Sequence, residues 1–462
     1  MLRATLVLVT FAAASIAQVS MTHLGTVDVA STSIATNPQF IGTNPSAMAW
    51  NGTDLWVAGF NNQALAGPAG IAKCSTALTA PTFGTAFGVG LLTPGSRGYS
   101  GLDVDGTHLV AAYDVGASDP NGITAWDLNG NFLWAKAARA GSGVGIDPGF
   151  VTIVDPGTGW TTFGSGRRVL QDNVTGADIY TTATGMIIQV TGETNTFWRD
   201  MTFDPLLGDI WLRRSNDVVA ADRVGGNLVA NARVVVDAPA ADSVNQQNIA
   251  FCRTGAENVV FWNLRSGGAN GQLWTNVLQC NRASDGAAMT IDWRGFTSVN
   301  GSGAYDFSFD EGTNTLAISD FSNKVVHVFA VSTFKEYGTS CLGAGNFPLL
   351  LDGTGDLRAA GQLTYTLSQA AGLSIGGFAF GATQDFTPLP FPGGCFVHVA
   401  PLLFTEGVFF TGVFGPGSGL GSLTFTVPPG LSNQGLTAQG FCLENGDLAQ
   451  IKTSNGIEVL FP

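Results

Sequence analysis

The most constraining feature of this 462-residue chain is a short pattern that recurs at intervals of about fifty residues. In each copy an apolar segment ends at Asn or Asp, a small turn follows, and a second apolar segment begins. The clear copies are Ala47–Val57, Gly101–Val110, Asp200–Leu212 and Asp306–Ile318. A hairpin repeated in this way predicts an array of small antiparallel sheets, as in a β-propeller.

Two weaker copies bring the repeat to six. One is Asn248–Trp262, and the other lies between residues 145 and 192, where either Val151–Pro156 or Val169–Asp172 would form the opening strand. The copies align on six apolar positions, namely Trp50, Val104, Ile153, Phe203, Phe251 and Phe309. We therefore predict an all-β chain that contains a propeller of six blades, with seven as the alternative.

Further strands and the ends of the repeat region complete this prediction. Third strands are expected within Gly122–Asn131, Val218–Asn227 and Val325–Ala330, because each combines β-branched or aromatic residues with turn formers. A propeller must also close its ring. We predict that His23–Val29 forms the outer strand of the last blade, which removes a free sheet edge.

The N-terminus has the organisation of a secretory signal. Arg3 precedes an apolar run from Ala4 to Ala14, and Ser15-Ile16-Ala17 supplies small residues before a cleavage point. The run is too short to span a bilayer. We predict a signal peptide over residues 1–17, with a buried N-terminal helix as the alternative, and no transmembrane segment in the mature chain.

The composition favours some partners over others. Hydrophobic residues make up 45% of the chain and charged residues only 12%, while the formal net charge is −14. This hydrophobic content is enough for a folded chain. Nucleic acid and anionic membranes both require a basic face, so we expect neither as a partner. An acidic extracellular protein instead favours calcium or cationic ligands.

An even number of cysteines in an exported chain indicates disulfide bonds. We predict two pairs within single regions and two free buried thiols: Cys252 with Cys280, Cys341 with Cys395, and the unpaired Cys74 and Cys442. The sequence contains no C-x-x-C pair, so we expect neither a redox nor a zinc role for these residues.

From Lys335 onward the chain becomes richer in Phe, Leu, Gly and Pro, and charged residues become sparse. Alternating segments such as Gln362–Ser368 and Ser422–Val427 are separated by turns that contain Gly and Pro. This pattern predicts about eight short strands in a small β-sandwich. We therefore predict a propeller over residues 18–335 and a β-sandwich over residues 336–462.

These segments resemble two known groups of proteins. The repeat region is similar to six-bladed propellers of the broad NHL and lactonase-like kind. The C-terminal region resembles the last module of many secreted planctomycete-type bacterial proteins, through Tyr337–Cys341, Gly393–Cys395, Pro428–Gly430 and Leu436–Cys442. The second resemblance implies extracellular or cell-surface placement and implies no reaction.

The lactonase resemblance also implies a site. Lactonase-type propellers hold one divalent metal at the channel mouth with a set of Glu, Asn and Asp. The matching candidates here are Asp200, Asp306 and Asn248, each of which comes just before an inner strand. This chain has no Glu at a matching place.

Repeated Asp and Asn residues also have the spacing of oxygen ligands for calcium. The candidates are Asp103 with Asp105, Asp127 with Asn129 and Asn131, and Asp204 with Asp209. The same residue types dominate tight turns for conformational reasons, and we favour this structural interpretation. We therefore expect no cofactor, and calcium stays open as the exception.

Two further sets of residues are candidate sites. The four histidines are His23, His108, His327 and His398, and no G-x-S-x-G motif accompanies them, so no hydrolase triad is indicated. Three arginines lie near two tryptophans and would suit a sugar or a carboxylate: Arg199, Arg213, Arg214, Trp198 and Trp211. We favour ordinary structural roles for both sets.

The sequence indicates a secreted or cell-surface protein that binds a protein or a glycan without catalysis. The alternative is an enzyme at the channel mouth, either a metal-dependent lactonase-like hydrolase or a polysaccharide lyase, and a surface-layer or adhesin component is a third possibility. An enzyme would gather three or more ionisable side chains at one end of the channel. A scaffold would line the channel with Gly, Ala, Ser and apolar groups.

Overall fold

The computed structural model of this chain is all-β. It describes residues 18–29, 41, 44–60, 70–84, 98–114, 122–137, 144–147, 160–163, 169–172, 178–180, 198–204, 206–214, 217–223, 229–237, 248–254, 257–263, 273–299, 303–390, 395–411, 415–444 and 450–462. The predicted signal peptide lies outside these residues. No helix in the described part of the chain is long and apolar enough to cross a membrane.

In the repeat region the strands pair into antiparallel groups of four. The chain begins with β1 (Gln18–Asp28). The first group is β2 (Asn44–Trp50), β3 (Leu55–Phe60), β4 (Ile71–Ser75) and β5 (Thr82–Phe83). The second group is β6 (Gly98–Val104), β7 (His108–Asp114), β8 (Gly122–Asp127) and β9 (Phe132–Ala137). One pairing, Phe60 of β3 with Gly98 of β6, joins these two groups.

The third group covers the weakest copy of the repeat. It is β10 (Val144–Asp147), β11 (Trp160–Phe163), β12 (Val169–Asp172) and β13 (Asp178–Tyr180). The predicted opening strand Val169–Asp172 is therefore wrong, because this segment is the third strand of its group and Val144–Asp147 comes first. The other predicted opening, Val151–Pro156, lies outside the described residues.

Three more groups follow along the chain. The fourth is β14 (Trp198–Phe203), β15 (Ile210–Arg214), β16 (Asp217–Arg223) and β17 (Val229–Asp237). The fifth is β18 (Ile249–Cys252), β19 (Val259–Asn263), β20 (Leu278–Arg282) and β21 (Ala288–Asp292), with a short 3-10 turn at Trp274–Asn276. The sixth contains β22 (Ala304–Asp310), β23 (Thr315–Asp320) and β24 (Val325–Tyr337).

The N-terminal strand supplies the fourth strand of the sixth group. β1 pairs antiparallel with β24 from Gln18 opposite Phe334 to Asp28 opposite Val325, so the predicted outer strand is confirmed. The first residues of β1 also pair in parallel with β21 of the fifth group. The two ends of the repeat region are therefore joined by backbone hydrogen bonds.

The first strands of the groups form a ring. In the order β2, β6, β10, β14, β18 and β22, each strand lies against the next, and β22 lies against β2. Four of these inner strands carry a β-bulge at the same place, between Pro45 and Ala47, Tyr99 and Gly101, Trp198 and Asp200, and Ala304 and Asp306. The arrangement is propeller-like, and the bulges mark equivalent positions in it.

Apolar side chains fill the spaces between neighbouring groups. Trp211 of the fourth group packs on Phe251 of the fifth, with ring centroids 5.3 Å apart, and both side chains are buried. Trp50 of the first group donates from Nε1 to Thr315 Oγ1 of the sixth at 2.7 Å. Each large side chain buried in this way contributes roughly 1.5–3 kcal/mol, so every sheet needs its neighbours.

The C-terminal region consists of two antiparallel sheets over one apolar core. The strands are β25 (Leu350–Gly355), β26 (Gln362–Ala370), β27 (Ile375–Pro388), β28 (Phe396–Phe409), β29 (Gly419–Thr426), β30 (Gly435–Leu443) and β31 (Ile451–Leu460). One sheet has the order β25-β26-β29 and the other continues β24 through β31, β30 and β27 to β28. Both sheets bury side chains in the same cluster, for example Leu363 and Phe378.

The two regions share a strand. β24 runs from Val325 to Tyr337, so it crosses the boundary predicted at residue 335. Its first part pairs with β23 and β1, and its last residues, Lys335 to Tyr337, pair with β31. Contacts between side chains add to this junction, since Ser20 Oγ lies 2.8 Å from Thr354 Oγ1.

One of the two predicted disulfides is present. Cys341 and Cys395 are bonded, which links the end of β24 to the start of β28. The predicted Cys252–Cys280 bond is wrong, because both residues are free, buried thiols. They lie on β18 and β20 with β19 between them, and strands two apart are separated by roughly 9–10 Å, beyond the reach of a disulfide.

Candidate functional site

The Asp and Asn residues that define the repeat stabilise the hairpin turns. Each accepts a hydrogen bond from a backbone N–H two or three residues further on, which is the geometry of an Asx turn. The contacts are Asn51 Oδ1 with Asp54 N (2.8 Å), Asp105 Oδ1 with His108 N (2.5 Å), Asp204 Oδ1 with Leu206 N (2.8 Å) and Asp310 Oδ2 with Thr313 N (2.8 Å). The repeated signature is therefore a structural one.

The segment with the most calcium-like spacing forms a turn of the same kind. Asp127 Oδ1 accepts from Asn129 N at 2.9 Å and from Asn131 N at 2.8 Å, and Asn131 Nδ2 donates to Asp127 Oδ2 at 2.7 Å. These bonds, led by the one from the Asn131 side chain, lower the pKa of Asp127. Within the described residues, no three His, Cys, Asp or Glu side chains are placed to hold a metal ion.

A cavity of about 340 Å³ lies where the inner strands meet. Residues of β2, β6, β14, β18 and β22 and of the turns after them form its wall. Its acidic members are Asp103, Asp105, Asp200, Asp306, Asp310 and Glu311. A concave site with a few convergent polar groups is where a ring of sheets would bind a ligand. The cavity is therefore the candidate functional site.

Two of the carboxyl groups in the cavity occupy equivalent places in the repeat. Asp200 and Asp306 each come directly after the bulge of an inner strand, and each bonds to the next inner strand in the ring. Asp200 Oδ2 accepts from Ile249 N at 3.0 Å, and Asp306 Oδ2 accepts from Met48 N at 2.7 Å. These residues therefore hold neighbouring sheets together at the channel.

Asp103 of β6 is the third carboxyl group at this centre. Burial raises the pKa of Asp200 to about 8, and the charge of Asp103 adds to the increase, although hydrogen bonds from Ile249, Met201 and Asn248 oppose it. Burial also raises the pKa of Asp306 well above its usual value, and Asp200 and Asp103 add to that shift. The charges of neighbouring carboxyl groups therefore oppose the ionisation of Asp200 and Asp306.

Asn248 lies beside this cluster, at the start of β18. It is 7% exposed, and its side chain hydrogen-bonds to Asp200. Its Oδ1 atom is buried without a hydrogen-bond partner in the part of the chain that the structure describes. The lactonase resemblance named Asp200, Asp306 and Asn248, and these three residues do come together. Asp103, one of the residues with calcium-like spacing, joins them.

The rim of the cavity carries a bridge between sheets. Arg253, which follows β18, lies 3.3 Å from Asp204 Oδ1 through Nη1 and 3.4 Å from Glu311 Oε1 through Nε. The bridge therefore connects the fourth, fifth and sixth groups. Burial raises the pKa of Glu311, and Arg253 opposes this increase.

The favoured structural role of the arginine and tryptophan set is confirmed for the residues whose side chains are described, except that Arg213 is buried where an exposed arginine was expected. Arg213 is 1% exposed and donates to the carbonyl oxygens of Asp217 and Asn263, and its guanidinium lies 4.9 Å from the centre of the Trp262 ring. Burial lowers the pKa of Arg213 to about 10. Trp211 is also buried. The side chains of Arg199, Arg214 and Trp198 lie outside the described set.

The histidines have structural partners, as expected. His398 is buried, and Nε2 lies 3.0 Å from the carbonyl oxygen of Thr339. His327 Nδ1 lies 2.9 Å from Thr26 Oγ1, and burial lowers the pKa of His327 to about 4, partly opposed by Asp320. His23 contacts the same Thr26 hydroxyl, and His108 contacts Asp105 in its own turn. Among the described lining residues, none is a histidine.

The sequence pattern missed Asp103, Asp310 and Glu311 as members of the cavity wall. One signal could have indicated them, because all three lie within two residues of the positions used to align the repeat, and aligned positions of inner strands meet around one axis.

Similarity to known proteins is found among solved structures. No family model and no curated protein matches this sequence. Among solved structures, the β-propeller domain of Cps50 (Swd1) from Myceliophteria thermophila is similar, with 11% sequence identity and a TM-score of 0.35, over 63% of this chain and 84% of that chain. The propeller-like description therefore depends on the strand pairing within this chain.

Proposed function

We propose that this chain is a secreted or cell-surface binding protein without catalytic activity, built as a six-bladed β-propeller followed by a β-sandwich. The ligand binds in the cavity at the channel. The observation that carries this proposal is the convergence of five inner strands on one cavity of about 340 Å³, a volume suited to a small ligand or to the end of a larger one.

Three features support six blades. The described strands fall into six groups of four, the sixth completed by β1, and the inner strands contact one another around a complete ring. The spacing of the repeat agrees with one group for each copy. In the C-terminal region, two sheets that share one apolar core support a sandwich.

The hydrogen bonds of the carboxyl groups support binding over catalysis. Asp200 and Asp306 are each engaged with the backbone of the next inner strand, so they are held in structural positions. A group that transfers protons in a reaction must instead reach the reacting atom. The three ionisable groups expected of an enzyme do gather here, but two of them hold the ring together.

Export is supported by the apolar run and the small residues that precede the predicted cleavage point at Ala17. The Cys341–Cys395 bond also suits an oxidising compartment. Sequencing the N-terminus of protein recovered from the growth medium would test this, and a mature chain beginning near Gln18 is expected.

The binding proposal can be tested with a thermal-shift panel of neutral sugars, organic anions and organic cations, added to the purified protein. We expect at least one class to raise the melting temperature, and mass spectrometry should recover that compound unchanged. Asp103→Asn should reduce the shift, whereas Asp285→Asn, which alters an exposed carboxylate in another hairpin, should not. Conversion of the compound, or no shift with any class, would contradict the proposal.

A channel enzyme is the second candidate, and one observation favours it. A carboxyl group in a cavity whose pKa is about 8, such as Asp200, is protonated at neutral pH and suits general-acid chemistry. The acidic wall favours a neutral lactone over a polyanionic polysaccharide, because like charges repel. Hydrolysis of a lactone panel that is lost in Asp200→Asn, with the melting temperature retained, would establish this candidate.

A further inference from the structure

The charge of the cavity wall has one sign. The described lining residues include six carboxyl groups and no Lys, Arg or His. Arg253 contacts Glu311 of the wall and Asp204, and it does not itself line the cavity. Burial raises the pKa of Asp200, to which Asp103 adds, and burial raises the pKa of Asp306, to which Asp200 and Asp103 add. Such a centre is stabilised by a group that brings positive charge.

A second observation specifies the chemistry of that group. Asn248 is buried, its side chain contacts the carboxyl group of Asp200, and its Oδ1 atom has no donor among the described residues. A buried acceptor without a donor costs about 1–3 kcal/mol. Asn248 does not itself line the cavity, and it adjoins the wall through Asp200. The wall therefore offers the oxygen acceptors of its carboxyl groups, which suit a ligand that has N–H or O–H donors as well as charge.

A bare metal ion does not satisfy this description. In the described residues, no three of these carboxyl groups are arranged around one ion position. An alkylammonium group carries one positive charge and three N–H donors in a tetrahedral arrangement, and its chain can lie along an apolar wall. It therefore matches separated acceptors that do not converge on a single point.

We propose that the channel cavity binds a primary ammonium group, with the carboxyl groups of Asp103, Asp200 and Asp306 as its recognition site. This inference rests on the proposed function, since it names the class of ligand for the same cavity. The ammonium group belongs either to a free small amine or to a lysine side chain of a partner protein, and both sources present the same chemistry to the site.

Four probes of equal chain length separate the contribution of the charge from that of the N–H donors. They are n-hexylammonium, 1-hexanol, hexanoate and trimethylhexylammonium, each titrated into the purified protein by calorimetry at pH 8. We expect n-hexylammonium to bind at least tenfold more tightly than each of the others. Equal binding of 1-hexanol would overturn the role of charge, and equal binding of trimethylhexylammonium would overturn the role of the N–H donors.

Variants assign the binding to the cavity. Asp103→Asn removes one charge and keeps the shape, so it should weaken n-hexylammonium binding at least tenfold without lowering the melting temperature. Asp200→Asn provides a second, independent loss of charge with the same expectation. Asp285→Asn removes an exposed carboxylate elsewhere and should leave the affinity unchanged. A similar loss in all three variants would overturn the site assignment.

Two peptides distinguish a lysine side chain from a free small amine as the source of the ammonium group. Acetyl-Gly-Lys-Gly-amide should bind if the natural ligand is a lysine side chain, and the same peptide with norleucine in place of lysine should not. Binding of n-hexylammonium without the peptide would indicate a free amine. If none of the ammonium probes binds but neutral sugars or anions stabilise the protein through the cavity, this inference fails while the proposed function stands.

Discussion

The channel region and the C-terminal region differ in what they bury at their centres. At the channel, Asp200 and Asp306 are 6% and 5% exposed, and burial raises their pKa values. At the centre of the C-terminal sheets lies a continuous apolar cluster, which includes Leu363, Phe378 and Ile457. Both centres are formed by β-strands, so the side chains that these strands direct inward make the difference.

This difference indicates how the two regions divide their work. Buried apolar side chains stabilise a fold in proportion to the area that they remove from water, whereas buried carboxyl groups oppose folding unless they are bonded or neutralised. The C-terminal region uses its centre for packing. The channel region keeps a polar centre that is available to a ligand, and it obtains its packing from the interfaces between sheets.

The largest expected effect concerns the covalent link in the C-terminal region. Cys341→Ser opens a loop of 54 residues, and loss of its constraint on the unfolded chain should lower the free energy of unfolding by about 4 kcal/mol. Denaturant unfolding measures this value, and reductant should affect the wild type but not the variant. Cys252→Ala, at a free thiol of the repeat region, should retain the full response to reductant. Loss of the reductant response in Cys252→Ala would contradict the assignment of the Cys341–Cys395 bond.

The next effect concerns the bond between Asp306 and Met48 N in the channel. Asp306→Ala leaves this buried N–H without an acceptor, so the free energy of unfolding at pH 6 should fall by about 1–3 kcal/mol. Asp306→Asn keeps one acceptor oxygen for Met48 N but places an NH2 group where Oδ1 accepts from Phe307 N, so it should lose less stability than Asp306→Ala. Equal losses in the two variants would contradict the bonding role of this residue.

The pH dependence of stability should also distinguish the two centres. A carboxyl group whose pKa is raised in the folded state binds more protons there than in the unfolded chain, so its contribution is complete below about pH 4 and declines as the pH rises. For Asp200 the decline extends to a pKa of about 8.

His327 acts in the opposite direction, since its folded pKa of about 4 makes stability rise with pH up to about 6.5. The window from pH 6.5 to pH 8 therefore reports on carboxyl groups, which include Glu336 of β24, since burial raises its pKa to about 7. The comparison with Asp306→Asn separates the channel groups from Glu336. In unfolding measurements across this window, stability should fall in the wild type and fall less in Asp306→Asn. If stability fell equally with pH in the wild type and in Asp306→Asn, this result would contradict the raised pKa values of the channel carboxyl groups.

The smallest effect is a stabilisation in the C-terminal core. The hydroxyl group of Tyr365 is buried with no hydrogen-bond partner among the described residues, inside an otherwise apolar cluster. Tyr365→Phe should therefore raise the free energy of unfolding by about 1 kcal/mol, as measured by chemical denaturation. A loss of stability would show that this hydroxyl group has a partner. Tyr99→Phe, in the repeat region, serves as the comparison.

The repeat predicted much of the fold because its turns are local. Asn51 and Asp105 bond to N–H groups within three residues, so the hairpins could be recognised from neighbouring letters alone. The pairing of His23–Val29 with β24 followed from the need to close an array, which is a global but simple condition.

Long-range register was not accessible in this way. Whether Cys252 and Cys280 meet depends on β19 lying between them, and whether Arg213 is a surface group depends on Trp262 of the next sheet. Asp103 illustrates the same limit at the candidate site. Its spacing to Asp105 suggested calcium, while its actual neighbours, Asp200 and Asp306, are about one hundred or more residues away in sequence.

The central claim is that Asp103, Asp200 and Asp306 meet at the channel and alter one another's protonation. A carbon-13 NMR titration of the side-chain carboxyl groups measures this directly, in the wild type and in Asp103→Asn. The account predicts a pKa of about 8 for Asp200 in the wild type and a lower value in the variant. A pKa near 4 for Asp200, unchanged by the substitution, would contradict the account.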